Sequence, residues 1–197
     1  MLSPIDELIE TYKEALSTRD ASSRFCVLTT VDALGCPVSR VLTVRSISEE
    51  GVTLYVDRHS PKVVQLEKNS HFELLFFWPN LMKQYKVRGE FELIKDERQA
   101  LEWRNKPYAG RLVDLYHSAE REQSSVVDSL QTIRSEIGAL AENNSEQGLT
   151  EMPDGLITLL IKPNYISAWI NVQQDRIHDR RDYRFANGTW HQQVLVP

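Results

Sequence analysis

The chain has 197 residues and a formal net charge of −5, from 28 acidic and 23 basic residues. Hydrophobic residues make up 41% and charged residues 26%, a globular balance that excludes wholesale disorder and suits a single domain over residues 1–197. The acidic excess argues against a nucleic-acid partner, and the longest apolar runs, Leu74–Trp78 and Leu156–Ile161, fall far short of the roughly 20 residues that span a bilayer.

The N-terminus reads as a helix over about residues 1–20: Ser3 caps it, Pro4 takes its first position, and Asp6 completes a capping box. Ile5, Leu8, Ile9, Tyr12, Ala15 and Leu16 then share one face. From Phe25 the pattern turns to strand. FCVLTTV and VSRVLTVRSI flank the turn-like Asp32-Ala33-Leu34-Gly35, and VTLYVD follows Glu49-Glu50-Gly51. Ser60-Pro61 opens a short helix that carries Val63, Val64 and Leu66 inward. FELLFFW and the alternating QYKVRGEFELI are the next strands.

Helical character returns from Asp96, which caps a segment with Ala100, Leu101 and Trp103, and Pro107 starts another. Gln123–Leu140 has Val126, Val127, Leu130, Ile133, Ile137 and Leu140 at helical spacing. Residues 142–154 read as a surface loop. LITLLIK, YISAWINV, DYRFA and TWHQQVLV supply the last strands, the final two joined by Asn187-Gly188, a strong hairpin signal. About seven strands with flanking helices predict an α+β protein built round an antiparallel barrel.

Several chemistries lack their motifs. No GxGxxG, P-loop, HExxH or GxSxG is present, so a dinucleotide fold, a metal site and a serine nucleophile are not expected. Nothing after Met1 reads as a secretory leader, and two cysteines are too few for a disulfide scaffold, which makes the cytoplasm the expected compartment. Cys26 lies within a strand and is expected to pack; Cys36 sits at a turn.

The unusual cluster is Arg176-Ile177-His178-Asp179-Arg180-Arg181. It reads either as a solvated charged turn or as an anion or cofactor pocket, with Arg176, His178 and Arg180 on one face of an extended segment. Arg40, Arg45 and Lys62 form a second basic set. Arg40 and Arg45 have opposite parity, so a regular strand would not aim both at one spot, and Lys62 opens a helix whose first amides favour an anion. Surface charge is the plain alternative. Gln123-Ser124-Ser125 offers hydroxyl and amide donors, or simply caps a helix.

Together these residues resemble the pyridoxamine 5′-phosphate oxidase family of FMN-binding split-barrel proteins. The likeness runs from about Phe25 to Pro197 through SRVLTV with Arg40, LYVD and SPK with Lys62, LFFWPNLMKQ with Gln84, EQSS with Gln123 and Ser124, and Trp169 with RIHDR, closing at Trp190 and Leu195-Val196-Pro197. The resemblance implies a mainly antiparallel split β-barrel, a homodimer, and FMN at the subunit interface. It implies that Arg40 and Lys62 hold the FMN phosphate, with Gln123 and Ser124 from the partner chain. Val41, Leu42 and Tyr55 would line the flavin, and Gln84, Trp169 and Arg180 would address its ring system. Arg176 and His178 would be the catalytic pair at the substrate ring, with hydride passing from the substrate C4′ to flavin N5 and dioxygen reduced to hydrogen peroxide.

The sequence departs from the family at the substrate phosphate. Arg45 replaces a lysine, and Glu102, Lys106 and Gly110 stand where a tyrosine, an arginine and a serine are expected, with Tyr108 and Arg111 nearby as substitutes. Phe77 replaces a proline, and Ser167-Ala168 replace an acidic-aromatic pair. The implied small-molecule substrate is pyridoxamine or pyridoxine 5′-phosphate, bound by Arg45, Lys106, Arg176 and His178. The alternatives are a non-catalytic FMN- or B6-vitamer-binding protein and a flavin oxidoreductase with another small substrate.

Overall fold

The computed structural model describes residues 3–172 and 177–197. The described elements run α1 (Pro4–Ser17), β1 (Phe25–Val31), β2 (Pro37–Ser48), β3 (Gly51–Asp57), α2 (Pro61–Lys68), β4 (Glu73–Trp78), β5 (Lys83–Ile94), α3 (Glu97–Arg104), α4 (Tyr108–Ala119), α5 (Leu130–Asn143), β6 (Leu156–Ile170), β7 (Asp179–Ala186) and β8 (Thr189–Val194). The strands form one sheet in the order β3-β2-β1-β4-β5-β6-β7-β8, and a further β3–β6 pairing closes the first six into a barrel. The split-barrel α+β class read from the sequence is the observed one. By internal contacts the chain divides into two compact units, residues 1–54, 65–92 and 159–197, and residues 55–64 and 93–158.

The first unit holds most of the barrel. Its interior is filled by Leu28, Leu54, Leu74, Phe76, Trp78, Val87, Leu159, Ile161 and Ile166, all fully buried. Trp78 is thus a core aromatic, ringed by Tyr12, Phe76 and Tyr85 at centroid distances of 6.2, 5.7 and 5.7 Å. Strand alternation does the sorting: inward Cys26 and Leu28 on β1 pair with Leu42 and Arg40 on β2, while Val27 and Val41 pair on the outside. The outer face carries an apolar row. Val41, Val27 and Leu75 are successive cross-strand neighbours, with half-exposed Phe25 and Phe77 beside them.

Two glycines let backbones meet. A Cβ on Gly51 (φ 135°) would lie 1.9 Å from the Ile161 carbonyl oxygen, and one on Gly89 would lie 2.0 Å from that of Lys162. At the far hairpin Asn187 (φ 53°) and Gly188 (φ 78°) both take the left-handed conformation that a two-residue β-turn of this kind needs.

The N-terminal helix has its full capping box, with Ser3 accepting from Asp6 N and Asp6 accepting from Ser3 N. Its buried face is Pro4, Leu8, Thr11, Tyr12 and Ala15, whereas Leu16 is exposed.

The second unit has its own small core. Trp103, Leu112 and Leu149 are buried, with Tyr108, Ile137, Leu140, Met152 and Leu156 packed against them. The 142–154 segment therefore contributes a core side chain, and its carbonyls at Glu146 and Leu149 accept from buried Arg111.

Four local expectations are corrected. The helix read from Gln123 starts only at Leu130, capped by Ser129 through Thr132 N. Before it, Ser124 has φ 71°, Ser125 N closes a turn onto Glu122 O, and Val126 is fully exposed; the apolar period there belongs to a turn without a partner surface. LITLLIK and YISAWINV are a single 15-residue strand that passes through Pro163. Val64 and Leu101 are exposed, because only Val63, Leu66 and Trp103 of their helices reach a core. The Ser60 hydroxyl donates back to the Asp57 carbonyl. No described helix is long and apolar enough to cross a membrane.

The two cysteines differ sharply. Cys26 is buried, and burial pushes its thiol up to about 12, whereas Cys36 is exposed. A thiol reagent at pH 8 is expected to modify one cysteine per native chain rapidly and the second only on unfolding. Two fast thiols in the native protein would contradict this packing.

Candidate functional site

Residues read as functional fall into both units. Arg40, Val41, Leu42, Arg45, Gln84, Trp169, His178 and Arg180 belong to the first, and Tyr55, Lys62, Lys106, Gln123 and Ser124 to the second. Arg176 lies outside the described residues.

In the first unit, the end of the β6–β7 ladder gathers three of them. Trp169 pairs directly with Arg180, and Ile170 with Asp179. His178 stands immediately before β7, its ring 4.8 Å from that of Trp169 at 48°. Its Nδ1 is enclosed and has no hydrogen-bond partner among the described residues. Arg180 is tied to the C-terminal segment: its carbonyl accepts from Leu195 N at 2.9 Å, and Nη1 donates to the Val196 carbonyl at 3.3 Å. The RIHDR segment is thus ordered strand from Asp179 onward, and Arg180 and Trp169 are neighbours in space as well as in motif.

Arg40 is held on the inward face of β2. Nη1 donates to the Thr30 hydroxyl at 2.6 Å and the Leu28 carbonyl at 3.3 Å, and Nη2 donates to Gln65 Oε1 at 2.9 Å. Thr30 donates to the same amide oxygen at 2.6 Å. Burial lowers the guanidinium's pKa, yet an arginine remains charged. Thr30 and Gln65 were not singled out from sequence. The signal for Gln65 was its place three residues after Lys62, the neighbouring position on one helical face. Val41 points away from Arg40 and Leu42, being 64% exposed on the outer face. Gln84 pairs with Phe77 and is half-buried. Arg45 is exposed while Arg40 faces inward, and the register of β2 against β3 shifts by a bulge between Val44 and Ser46.

In the second unit, buried Lys62 donates to Gln123 Oε1 at 2.8 Å. Two residues expected at one phosphate are therefore adjacent, and the amide comes from the same chain as the lysine. Ser124 is exposed in its turn, and Tyr55 is half-buried on β3.

The α3–α4 segment departs from the expectation for a phosphate site. Lys106 Nζ lies 2.7 Å from Asp114 Oδ2, which also accepts from Trp103 Nε1 at 2.8 Å. A Cβ at Gly110 would lie 2.8 Å from Lys106 Cε, a contact the flexible lysine stem could relieve by shifting. Arg111 donates to the Leu149 and Glu146 carbonyls and Tyr108 to the Asn144 carbonyl. Glu102 is exposed. Asp114 was missed because Lys106 lies in the turn before α4 and Asp114 on the helix itself, so no regular spacing links the pair.

A family profile described as pyridoxamine 5′-phosphate oxidase matches residues 9–142. The chain belongs to this family. A pyridoxine/pyridoxamine 5′-phosphate oxidase of Pseudomonas putida is 28% identical over 188 residues, covering 94% of this chain and 85% of its own. One from Pseudomonas paraeruginosa is 30% identical over 175 residues, covering 86% and 76%. Among solved structures, PhzG from Burkholderia lata, in complex with tetrahydrophenazine-1-carboxylic acid, superposes with a TM-score of 0.82 at 19% identity, covering 99% of this chain and 93% of its own. A pyridoxamine 5′-phosphate oxidase-related, FMN binding protein of Nostoc punctiforme gives 0.73 at 19% identity over the whole of both chains. At such identities these structures establish the fold.

The segment carrying Gln123 is braced by α4 and α5. Glu136 accepts from Arg121 Nε and Nη2 at 2.8 and 2.6 Å and from the Tyr116 hydroxyl at 2.6 Å. Arg121 first, then Tyr116, hold its carboxyl down to about 2, against an ordinary 4.5. A depressed carboxyl pKa stabilises the fold fully above the ordinary value and loses that contribution as pH falls toward the folded one. A carbon-detected NMR titration is expected to find the Glu136 midpoint near 2, and higher in Arg121→Gln but still below 4.5, because Tyr116 keeps donating. Equal midpoints would remove the brace.

Proposed function

We propose that the protein is an FMN-dependent oxidoreductase that dehydrogenates a small cyclic substrate lacking a phosphate ester. The observation that carries this reading is the meeting of Trp169, His178 and Arg180 at the β6–β7 edge in a chain of this family. FMN is supported by the Nostoc relative named as FMN binding and by the chemistry of the residues present. Arg40 spends Nη1 and one Nη2 hydrogen on neutral protein acceptors, which leave its charge uncancelled, and Lys62 brings a second charge; a dianionic phosphate suits such charge-assisted donors. When bound, FMN supplies the hydride acceptor and passes electrons on to dioxygen.

The chain's own residues bind and orient. Arg40, Lys62, Gln123 and Ser124 are the phosphate donors, with Leu42 and Tyr55 as flavin walls and Gln84 and Arg180 as polar contacts to the ring. Arg176 and His178 address the substrate, and the Trp169 indole lies against the His178 imidazole. A homodimer with FMN at the interface is part of the proposal. The apolar outer row of Phe25, Val27, Val41, Leu75 and Phe77 is the kind of face a second copy covers.

The substrate class follows from α3–α4. Lys106 is paired with Asp114, Arg111 and Tyr108 donate to carbonyls, and Glu102 adds negative charge. The four charges sum to zero, so the set offers a phosphate dianion no net positive field.

Arg40→Ala and Lys62→Ala are each expected to weaken FMN binding roughly 10- to 100-fold, the loss of about 1.5–3 kcal/mol that charged hydrogen bonds supply. Unchanged affinity in both would misplace the phosphate site. For the substrate, the anaerobic visible spectrum of FMN-loaded protein is read during titration with pyridoxamine and with pyridoxamine 5′-phosphate. The phosphate ester is expected to bleach the flavin no more than about tenfold better than the free vitamer, less than the ~1.4 kcal/mol one useful phosphate contact would give. Fast, saturable bleaching by the ester alone would make it the substrate. Failure to take up FMN would overturn the cofactor assignment.

A further inference from the structure

The N-terminal helix is joined to the strand that carries the candidate catalytic segment by one carboxylate. Glu7 sits in the first turn of α1. Its two oxygens accept from Arg181 Nη1 and Nη2, both at 3.0 Å, and from the hydroxyls of Tyr183 and Tyr85, both at 3.2 Å. Burial first of all raises the pKa of both tyrosines, so both remain donors. Thr11, one turn along α1, completes the set at 3.0 Å from the Tyr85 hydroxyl.

Arg181 spends all three of its nitrogens. Nη1 and Nη2 form the fork on Glu7, Nη1 also donates to the Tyr183 hydroxyl at 2.7 Å, and Nε donates to Asp179 Oδ1 at 3.1 Å. Asp179 is the first residue of β7, and His178 precedes it. The line of contacts therefore runs from α1 through Arg181 to the residue whose backbone sets where His178 begins. The Glu7 and Arg181 side chains are only 23% and 21% exposed, so the fork is largely shielded from water and its planar geometry fixes Arg181 in two directions. Among the described residues the other ion pairs of α1 lead elsewhere: Glu10 pairs with Lys13, and Glu14 with Lys83 of β5.

We infer that Glu7 is a positioning residue for the active site: through Arg181 and Asp179 it fixes the start of β7 and with it the angle of the His178 imidazole on Trp169. The inference rests on the proposed oxidoreductase reading for its catalytic consequence and on geometry alone for its structural one. An imidazole resting on an indole, with Nδ1 unpartnered among the described residues, has no hydrogen bond from them at that nitrogen to fix it. Its direction is inherited from the backbone.

The test uses the full-length chain and three variants. Glu7→Gln keeps the shape and removes the charge, Arg181→Lys keeps the charge and removes the fork, and Glu14→Gln cuts a different tie of the same helix. The first readout is the His178 ring signal by NMR, identified by its loss in His178→Gln and measured without FMN. It is expected to shift in Glu7→Gln and in Arg181→Lys and to stay in place in Glu14→Gln. The second is substrate-dependent flavin reduction, expected to fall roughly tenfold in kcat in the first two variants, with FMN affinity unchanged. A His178 signal unmoved in both variants overturns the inference, as does an equal shift in Glu14→Gln, which would mean general loosening of α1. Should Glu7→Gln fail to fold, Arg181→Lys decides alone. A wild-type chain that binds no FMN would sink the oxidoreductase reading while leaving the first readout intact.

Discussion

Antiparallel pairing of β6 with β7 in a single register, Trp169 against Arg180 and Ile170 against Asp179, decides which side chains meet at that end of the sheet. A slip of one residue would turn every side chain of β7 to the opposite face. Tyr183, opposite Ile166 and nearly buried, would lose its inward place, and the His178 ring would leave Trp169. Hydrophobic burial further along the strand therefore enforces the geometry of polar groups at its start. The β7–β8 ladder adds a second constraint, because the backbone of Arg180 is bonded to Leu195 as well as paired with β6.

Charge is handled differently at Arg40 and at Lys106. Arg40 leans on a hydroxyl, a carbonyl and an amide, none of which cancels its charge. Lys106 faces the Asp114 carboxylate, which does. A cation paired with a carboxylate has less to offer an incoming anion than one held by neutral acceptors.

The barrel was legible because its strands announce themselves by β-branched alternation and its turns by residues with one physical use, such as Asn187-Gly188. The capping box of Ser3 and Asp6 was equally plain. What failed was periodicity without a partner. Val126 and Val127 continue the spacing of α5 backwards, but a positive φ at Ser124 and the Ser129 cap start the helix later. Pro163 looked like a break between two strands, yet proline is tolerated where its missing donor faces no partner, and β6 runs on. At the site, the residues that touch cofactor or substrate in the family were visible as motif, whereas those that hold them were not. Thr30, Asp114 and Glu7 carry no spacing signal of their own and act only through contacts made on folding.

The close approaches at Gly51 and Gly89 concern successive carbonyls of β6, those of Ile161 and Lys162, one toward each flank. At this level the separation of three strands is set by backbone touching backbone, with no side chain between them to act as a spacer. Such a waist cannot contract when an interior residue is made smaller, since the strands are already at contact. Truncating Ile161 or Val87 beside it should therefore leave an unfilled void instead of a collapsed one, putting such changes at the costly end of the cavity range. The same rigidity makes this girdle the least compressible part of the barrel and its most reliable frame of reference, against which movement of either rim can be judged.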